Sequence, residues 1–154
     1  MCIRDRHPTG SWCLGWQFYE CLQAIEKALD RTVHAVGGMS IGADPLATAT
    51  SIAALSQGRS LPAYLVRKEP KGHGTGEYLE GLKNISPGAD VMLLEDVVTT
   101  GGSTLMAAER VQAAGLNPIG VVTIIDREVG GMKRLEDAGL HARAIFTLSE
   151  LRNA

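Results

Sequence analysis

Apolar residues recur along the chain at two spacings, and these spacings predict its secondary structure. Helical spacing predicts three amphipathic helices, at residues 11–29, 44–55 and 103–114. Short, continuously apolar runs predict five strands, at residues 32–36, 61–66, 90–94, 119–125 and 144–148. Because such strands are buried on both faces and alternate with helices, the pattern predicts an α/β fold with a mostly parallel central sheet flanked by helices.

Residues 68–88 break this alternation, because they are rich in glycine and charge and contain no convincing long element. In compact domains, loops longer than about 12–15 residues are usually functional lids or disordered segments. The alternative interpretation is a solvent-exposed surface loop without a functional role. Since neither an internal repeat nor a linker divides the chain, residues 7–154 are predicted to form one domain, with residues 1–6 foreign to it or unstructured.

Composition narrows the classes of function. The formal charge is −2 and no block of Lys or Arg stands out, which argues against a nucleic-acid partner. No apolar run reaches the ~18 residues that span a membrane, and the first residues do not resemble a secretion signal. Cys2, Cys13 and Cys21 match neither a disulfide framework nor a zinc site, so we expect reduced thiols in a cytoplasmic protein, with Cys13 and Cys21 buried.

The strongest chemical signal follows the strand predicted at 90–94. Two carboxylates, Glu95 and Asp96, stand at its end, where ligands bind in open α/β sheets. The loop that follows leads into a helix and consists of Val97, Val98, Thr99, Thr100, Gly101, Gly102 and Ser103. Its N–H groups and the helix N-terminus favour a phosphate, whereas the carboxylates suit ribose hydroxyls or a metal ion on a diphosphate. Together they predict a ribose 5-phosphate site; an acidic turn with a serine N-cap is the alternative.

Residues 95–103, Glu-Asp-Val-Val-Thr-Thr-Gly-Gly-Ser, resemble the phosphoribosyl diphosphate (PRPP) motif of the type I phosphoribosyltransferases. From about His7 onward the chain resembles the orotate phosphoribosyltransferases, notably at residues 37–45, 66–74 and 125–128. The resemblance implies the type I phosphoribosyltransferase fold. It also implies transfer of ribose 5-phosphate from PRPP to orotate, giving orotidine 5′-monophosphate and diphosphate in UMP biosynthesis. Mg²⁺ would be carried by PRPP rather than bound directly by the protein.

The resemblance also assigns roles to single residues. The expected PRPP contacts are Arg67, Lys68, Lys71, His73 and every residue from Glu95 to Ser103. Lys71, His73 and Asp96 are the expected catalytic residues, and Thr99 and Arg127 the expected orotate contacts. A guanidinium that follows a buried strand could pair with a substrate carboxylate. In the family, the loop at 68–88 closes over the site of the partner subunit, which implies a homodimer.

A second glycine-containing segment follows the strand predicted at 32–36. This strand is expected to stop at a tight turn made by Gly37 and Gly38. The resemblance implies that the following residues form a diphosphate loop, a weaker site made of Met39, Ser40, Ile41 and Gly42. A simple strand–helix connection is the alternative. Many relatives carry a Tyr-Lys pair near Ser40 and Ile41. The positive charge of that lysine side chain is therefore missing here.

Other interpretations stay open. A PRPP-binding regulatory protein or an inactive fragment of the enzyme would share the motif, but the basic loop near residue 70 favours transfer chemistry. A phosphoribosyltransferase for another base is the further alternative, and Arg127 favours orotate. The family's N-terminal hood over orotate is expected to be largely missing before His7. The aromatic residues of the first helix are predicted to be core rather than a base-stacking platform; they are Trp12, Trp16, Phe18 and Tyr19.

Overall fold

The computed structural model describes residues 6–70 and 77–153. The α-helices of this part are α1 (Pro8–Leu29), α2 (Asp44–Ser56), α3 (Gly102–Ala113), α4 (Gly131–Asp137) and α5 (Leu148–Asn153). A short 3-10 helix spans Leu82–Asn84. The strands are β1 (Ala35–Met39), β2 (Ala63–Val66), β3 (Leu79–Glu80), β4 (Asp90–Val98), β5 (Asn117–Asp126) and β6 (His141–Thr147).

The strands form one sheet in the order β3-β2-β1-β4-β5-β6. Every neighbouring pair is parallel except β2 and β3, which are antiparallel. The chain builds outward from β1 to β2 and β3, then crosses to β4 and builds outward on the other side. The order therefore reverses between β1 and β4, which is the place where open α/β sheets bind their ligands. The predicted α/β fold with a mostly parallel sheet is confirmed.

Both faces of the central strands β1, β4 and β5 are buried, which explains why these strands are largely apolar. Along β4, Met92 and Leu94 pack under α1 and α2, in a cluster that contains Phe18 and Leu22. The alternate residues Val91 and Leu93 point to the opposite face, where α3 and α4 contribute Val111 and Leu135. Since successive side chains of a strand point to opposite faces, a strand covered on both faces has no position left for a polar residue.

Gly37 and Gly38 lie inside β1, so the prediction that they make a turn is wrong. A Cβ atom at Gly37 would stand 2.2 Å from the carbonyl oxygen of Tyr64, and one at Gly38 would stand 2.2 Å from that of Leu94. Both glycines therefore permit neighbouring strands to approach closely. The chain turns later, at residues 40–43, between β1 and α2.

The elements that periodicity does not predict are short. α4, α5 and β3 contain seven, six and two residues. A two-turn helix contains too few residues for a 3.6-residue period to stand out. β3 lies within the segment 68–88, next to the 3-10 helix. In addition, α1 begins at Pro8, three residues earlier than predicted, because proline suits the first turn of a helix.

The aromatic residues of α1 divide into two groups. Phe18 and Tyr19 are buried in the core, as predicted, and Trp16 is partly buried. Trp12 is 55% exposed, so its assignment to the core is wrong. Cys21 is buried, whereas Cys13 is exposed, contrary to the prediction. The buried face of α1 begins at residue 15, so positions 12 and 13 lie beyond the part of the helix that packs.

Within residues 6–70 and 77–153, no helix is both long enough and apolar enough to cross a lipid bilayer.

Candidate active site

A cleft of about 890 Å³ opens where β1, β2 and β4 end. It is lined by Met39, Ser40, Ile41, Gly42, Leu65, Arg67, Lys68, Glu69, Glu80, Glu95, Asp96, Val97 and Ser103. The volume is typical of a small-molecule site. The cleft lies at the reversal of strand order, and most of its lining residues are predicted site residues. The structure therefore brings together the ends of β1 and β4, the two strands that precede the predicted diphosphate and ribose phosphate segments.

Glu95 is a buried carboxyl group at the floor of this cleft. It is 6% exposed and accepts hydrogen bonds from the hydroxyls of Ser103 (3.4 Å) and Thr104 (3.2 Å) and from the N–H of Asp96 (3.2 Å). Burial, with a smaller contribution from the neighbouring carboxylate of Asp96, raises the pKa of Glu95 to about 7. Near neutral pH this group can therefore either accept or donate a hydrogen bond to a ligand.

Asp96 is half-buried and faces the loop that follows β1. Its Oδ1 accepts a hydrogen bond from the N–H of Val97 at 2.9 Å. A Cβ atom at Gly42 would stand 3.2 Å from Oδ1 of Asp96 and 3.4 Å from Oε1 of Glu95. The glycine thus leaves the space in front of both carboxyl groups free of a side chain. Hydroxyls of a sugar would fit this space and find acceptors there.

The loop between β4 and α3 presents donors to the same edge of the sheet. Thr99 and Thr100 are exposed, and Gly101 adopts a φ of 75°, which favours glycine. Gly101 is the N-cap of α3 and has no side chain that could cap the helix. The first N–H groups of α3 are therefore open to an anion, which the helix dipole also favours.

The residues after β1 and β2 form the opposite wall of the cleft. The N–H of Ser40 donates to the carbonyl of Val66 at 2.8 Å, and the exposed Ile41 lines the cleft. Lys68 also lines it. The guanidinium of Arg67 forms an ion pair with Glu80, whose side chains are 43% and 45% exposed, so part of its charge is already neutralised. Sequence patterns do not reveal this pair, because β3 is too short to predict.

Similar proteins identify the family. No family model matches the chain. It is 40% identical over 146 residues to the orotate phosphoribosyltransferase of Nostoc sp. (strain PCC 7120 / SAG 25.82 / UTEX 2576), which covers 95% of this chain and 67% of that protein. It is 41% identical over 144 residues to that of Aquifex aeolicus (strain VF5), covering 94% of this chain and 74% of the relative. This chain belongs to the orotate phosphoribosyltransferase family.

Solved structures agree with this assignment. The orotate phosphoribosyltransferase of Mycobacterium tuberculosis H37Rv, in complex with inorganic phosphate, matches with a TM-score of 0.78 and 34% identity over 98% of this chain and 80% of that one. The same enzyme in complex with PRPP matches with a TM-score of 0.76 and 34% identity over 96% and 78%. The fold is therefore the type I phosphoribosyltransferase fold.

The two residues that the resemblance assigns to orotate, Thr99 and Arg127, follow the ends of β4 and β5. Asp126 pairs with Val98 across β4 and β5, and the N–H of Arg127 donates to the carbonyl of Val98 at 3.0 Å. The backbone of Arg127 is thus next to the loop that carries Thr99. Both side chains are exposed, and neither lines the cleft. Lys71 and His73 lie outside the described residues.

Sequence reasoning misses the residues of α4 that pack against the loop between β4 and α3. Gly131 lies against the carbonyl of Thr99, and Nη1 of Arg134 donates to the carbonyl of Thr100 at 3.2 Å. α4 therefore contacts the backbone of two consecutive residues of this loop. The only signal in the sequence is the glycine pair at 130–131, which does not by itself indicate a helix start.

Proposed function

We propose that this chain transfers ribose 5-phosphate from PRPP to orotate, giving orotidine 5′-monophosphate and diphosphate. The observation that carries the proposal is the juxtaposition of the Glu95–Asp96 pair with the uncapped N-terminus of α3 at the reversal of strand order. Acceptors for a sugar and donors for a phosphate then stand side by side, with the hydroxyl of Ser103 in α3 donating to Glu95 at 3.4 Å. Membership of the orotate phosphoribosyltransferase family supports the reaction, and the M. tuberculosis complex supports PRPP as the ligand.

In the proposed binding mode, the 5′-phosphate occupies the loop from Val97 to Ser103. Backbone N–H groups and the threonine hydroxyls donate to it. The ribose hydroxyls meet Glu95 and Asp96, because carboxylates would repel the phosphate and attract hydroxyl donors. The diphosphate lies towards the opposite wall, formed by residues 39–42 together with Arg67 and Lys68. Arg67 and Lys68 supply the positive charge of this wall, which also carries Glu69 and Glu80.

The proposed reaction breaks the bond between C1 of the ribose and the diphosphate oxygen, and the electron pair leaves with the diphosphate. The ribose ring then carries positive charge, a nitrogen of orotate supplies the pair that forms the new C1–N bond, and the proton of that nitrogen is released to solvent. Asp96 stabilises the positive charge, while Arg67 and Lys68, with Lys71 and His73 beyond the described residues, offset the charge of the diphosphate. Catalysis is therefore mostly positioning and electrostatic stabilisation.

The site fits Mg²⁺ as an ion carried by PRPP. In the described part of the chain, no three His, Cys, Asp or Glu side chains are grouped as metal ligands. Glu95 and Asp96 offer two hard oxygen ligands, and Mg²⁺ is usually held by one or two carboxylates together with substrate phosphates. When bound, the ion would neutralise part of the diphosphate charge. We propose Glu95 and Asp96 as its neighbours on the protein.

We further propose a homodimer in the cytoplasm, in which residues 68–88 reach the site of the partner subunit. The dimer rests on the family resemblance alone. The location is supported by the free thiols of Cys13 and Cys21, which suit a reducing compartment. Light scattering during size-exclusion chromatography tests the dimer directly: a mass of one chain would overturn it.

A turnover assay tests the proposed reaction. Wild-type protein with PRPP, orotate and Mg²⁺ should yield orotidine 5′-monophosphate and diphosphate in equal amounts. Asp96→Asn should lower kcat by about 100-fold, a loss typical of removing one electrostatic group from an active site. Glu109→Gln is the matched control, because this exposed carboxylate on α3 contacts nothing in the cleft. Product formation that does not depend on Asp96 would contradict the assigned role.

A further inference from the structure

Arg110 connects α3 to three strand ends on the opposite wall of the cleft. It lies on α3 two turns after Ser103, about 10 Å along the helix axis. Its Nη1 donates to the backbone carbonyl of Arg67 at 2.5 Å and lies 4.0 Å from the sulfur of Met39. Its Cζ stands 4.2 Å from the centroid of the Tyr78 ring. One partly buried side chain therefore makes three different contacts.

These contacts converge on the wall that the proposed function gives to the diphosphate. Met39 is the last residue of β1 and lines the cleft, as does Arg67, which follows β2. Tyr78 precedes β3, and its carbonyl accepts a hydrogen bond from the N–H of Arg67 at 2.7 Å. Arg110 thus holds Arg67 both directly and through Tyr78, while it also contacts the residue before the loop at 40–42.

The contacts require a guanidinium rather than a simple positive charge. The guanidinium lies over the ring of Tyr78 and at the same time donates from Nη1 to the carbonyl of Arg67. An ammonium group is a point charge and cannot satisfy both at these positions. In the described part of the chain, the ion pairs do not include Arg110, while Glu80 pairs with Arg67 instead. A carbonyl, a ring and a sulfur therefore replace a carboxylate as its partners.

We propose that Arg110 is a positioning residue that sets the diphosphate wall at a fixed distance from the 5′-phosphate loop. Both ends of α3 take part: its N-terminus carries the phosphate loop, and Arg110 holds Met39 and Arg67. The proposal rests on the proposed function, because it assigns the two walls to the two ends of PRPP. It predicts that substitution of Arg110 weakens the binding of ligands that contact the diphosphate wall. The affinity for ligands that contact only the phosphate loop should not change.

Calorimetry with ribose 5-phosphate and with Mg²⁺–diphosphate separates these effects. Arg110→Met should weaken diphosphate binding by about tenfold and raise the KM for PRPP similarly, as expected for the loss of a desolvated cation–π contact and a charged hydrogen bond. The affinity for ribose 5-phosphate should change by less than about twofold. Arg110→Lys should recover only part of the loss, because it restores charge without the planar geometry.

Variants of Tyr78 provide a second, milder test should Arg110→Met fail to fold. Tyr78→Leu should also weaken diphosphate binding. Tyr78→Phe should bind diphosphate as tightly as the wild type, since phenylalanine keeps the ring face. Equal weakening of both ligands, or unchanged diphosphate affinity in Arg110→Met and Tyr78→Leu, would overturn the positioning role. Wild-type protein that binds neither ligand would overturn the proposed function, and with it this inference.

Discussion

Gly131 lies so close to Thr99 that a Cβ atom at position 131 would stand 2.2 Å from the carbonyl oxygen of Thr99. The same atom would stand 2.7 Å from Cγ1 of Val98. Because the Thr99 atom is backbone, it can move only if the phosphate loop moves. Gly131→Ala should therefore displace this loop and weaken PRPP binding by about tenfold or more, the cost typical of overpacking a tight contact. Calorimetric titration with PRPP and Mg²⁺ measures the change.

Gly139→Ala is the control for this substitution, because it lies just after the other end of α4. Gly139 adopts a φ of 87°, and no atom lies within 4 Å of the Cβ position. The alanine should cost about 1–2 kcal/mol of stability through backbone strain alone and leave PRPP affinity intact. If Gly131→Ala binds PRPP as tightly as Gly139→Ala does, α4 does not set the geometry of the loop.

The buried carboxyl group of Glu95 should make folding stability depend on pH. Burial raises its pKa from the usual 4.5 to about 7, so between these pH values the unfolded chain loses a proton that the folded chain keeps. The contribution of Glu95 to the free energy of unfolding should therefore be greatest below pH 4.5, fall by about 3 kcal/mol as the pH rises to 7, and change no further above pH 7. Urea unfolding at several pH values measures this slope.

Glu95→Gln isolates the contribution of this group, because glutamine resembles the protonated form at every pH. The variant should show a flatter pH profile of stability between pH 4.5 and 7 than the wild type. Asp96→Asn should flatten the profile partly, since the charge of Asp96 contributes to the raised pKa of Glu95. Identical profiles for wild type and Glu95→Gln would show that Glu95 ionises at its usual pKa in the folded protein.

Arg134 should support substrate binding without touching the cleft. Its hydrogen bond to the carbonyl of Thr100 connects α4 to the phosphate loop and places its positive charge next to this loop. Arg134→Met should raise the KM for PRPP by about fivefold, as expected for one exposed charged hydrogen bond. Lys133→Met removes the same charge from the same helix, but Lys133 pairs with Asp137 at 2.9 Å in solvent. An equal effect of both variants would reduce the role of Arg134 to general electrostatics.

The ion pair of Arg59 and Glu26 should stabilise the fold away from the site. Arg59 donates to both carboxylate oxygens, at 2.8 and 2.6 Å, and to the carbonyl of Val33, at 2.5 Å. Both side chains are mostly buried. Arg59→Met leaves a buried carboxylate without its partner and should lower the free energy of unfolding by about 3 kcal/mol, with kcat unchanged. Loss of the exposed Lys133–Asp137 pair should leave the free energy of unfolding nearly unchanged, because solvent screens the two charges.

The sequence predicts the sheet and the carboxylate–phosphate segment because their signals are local. The run before Glu95 is continuously apolar because β4 is covered on both faces, and the acidic pair, the glycines and the hydroxyls follow within nine residues. The glycines at 37 and 38 are different. A glycine that permits a close approach and one that makes a turn look alike in sequence, and only the position of Tyr64 distinguishes them.

The supporting contacts of the site cannot be predicted from local patterns. Arg110 and Arg67 are 43 positions apart in the chain, and Arg134 and Thr100 are 34 positions apart. Each pair exists because a helix returns to a strand end on a sheet whose order is set by the whole fold. Neither arginine belongs to a motif, so no spacing in the sequence indicates its partner.

Titration of the chain with PRPP in the presence of Mg²⁺ tests the central claim most directly. The claim is that the cleft between the β1 and β4 ends binds PRPP through its carboxylate pair and phosphate loop. The expected result is saturable binding of one PRPP molecule per chain, weakened by Asp96→Asn and by Gly131→Ala and unaffected by Gly139→Ala. The absence of binding at PRPP concentrations up to about 1 mM, the upper end of usual KM values, would contradict the claim.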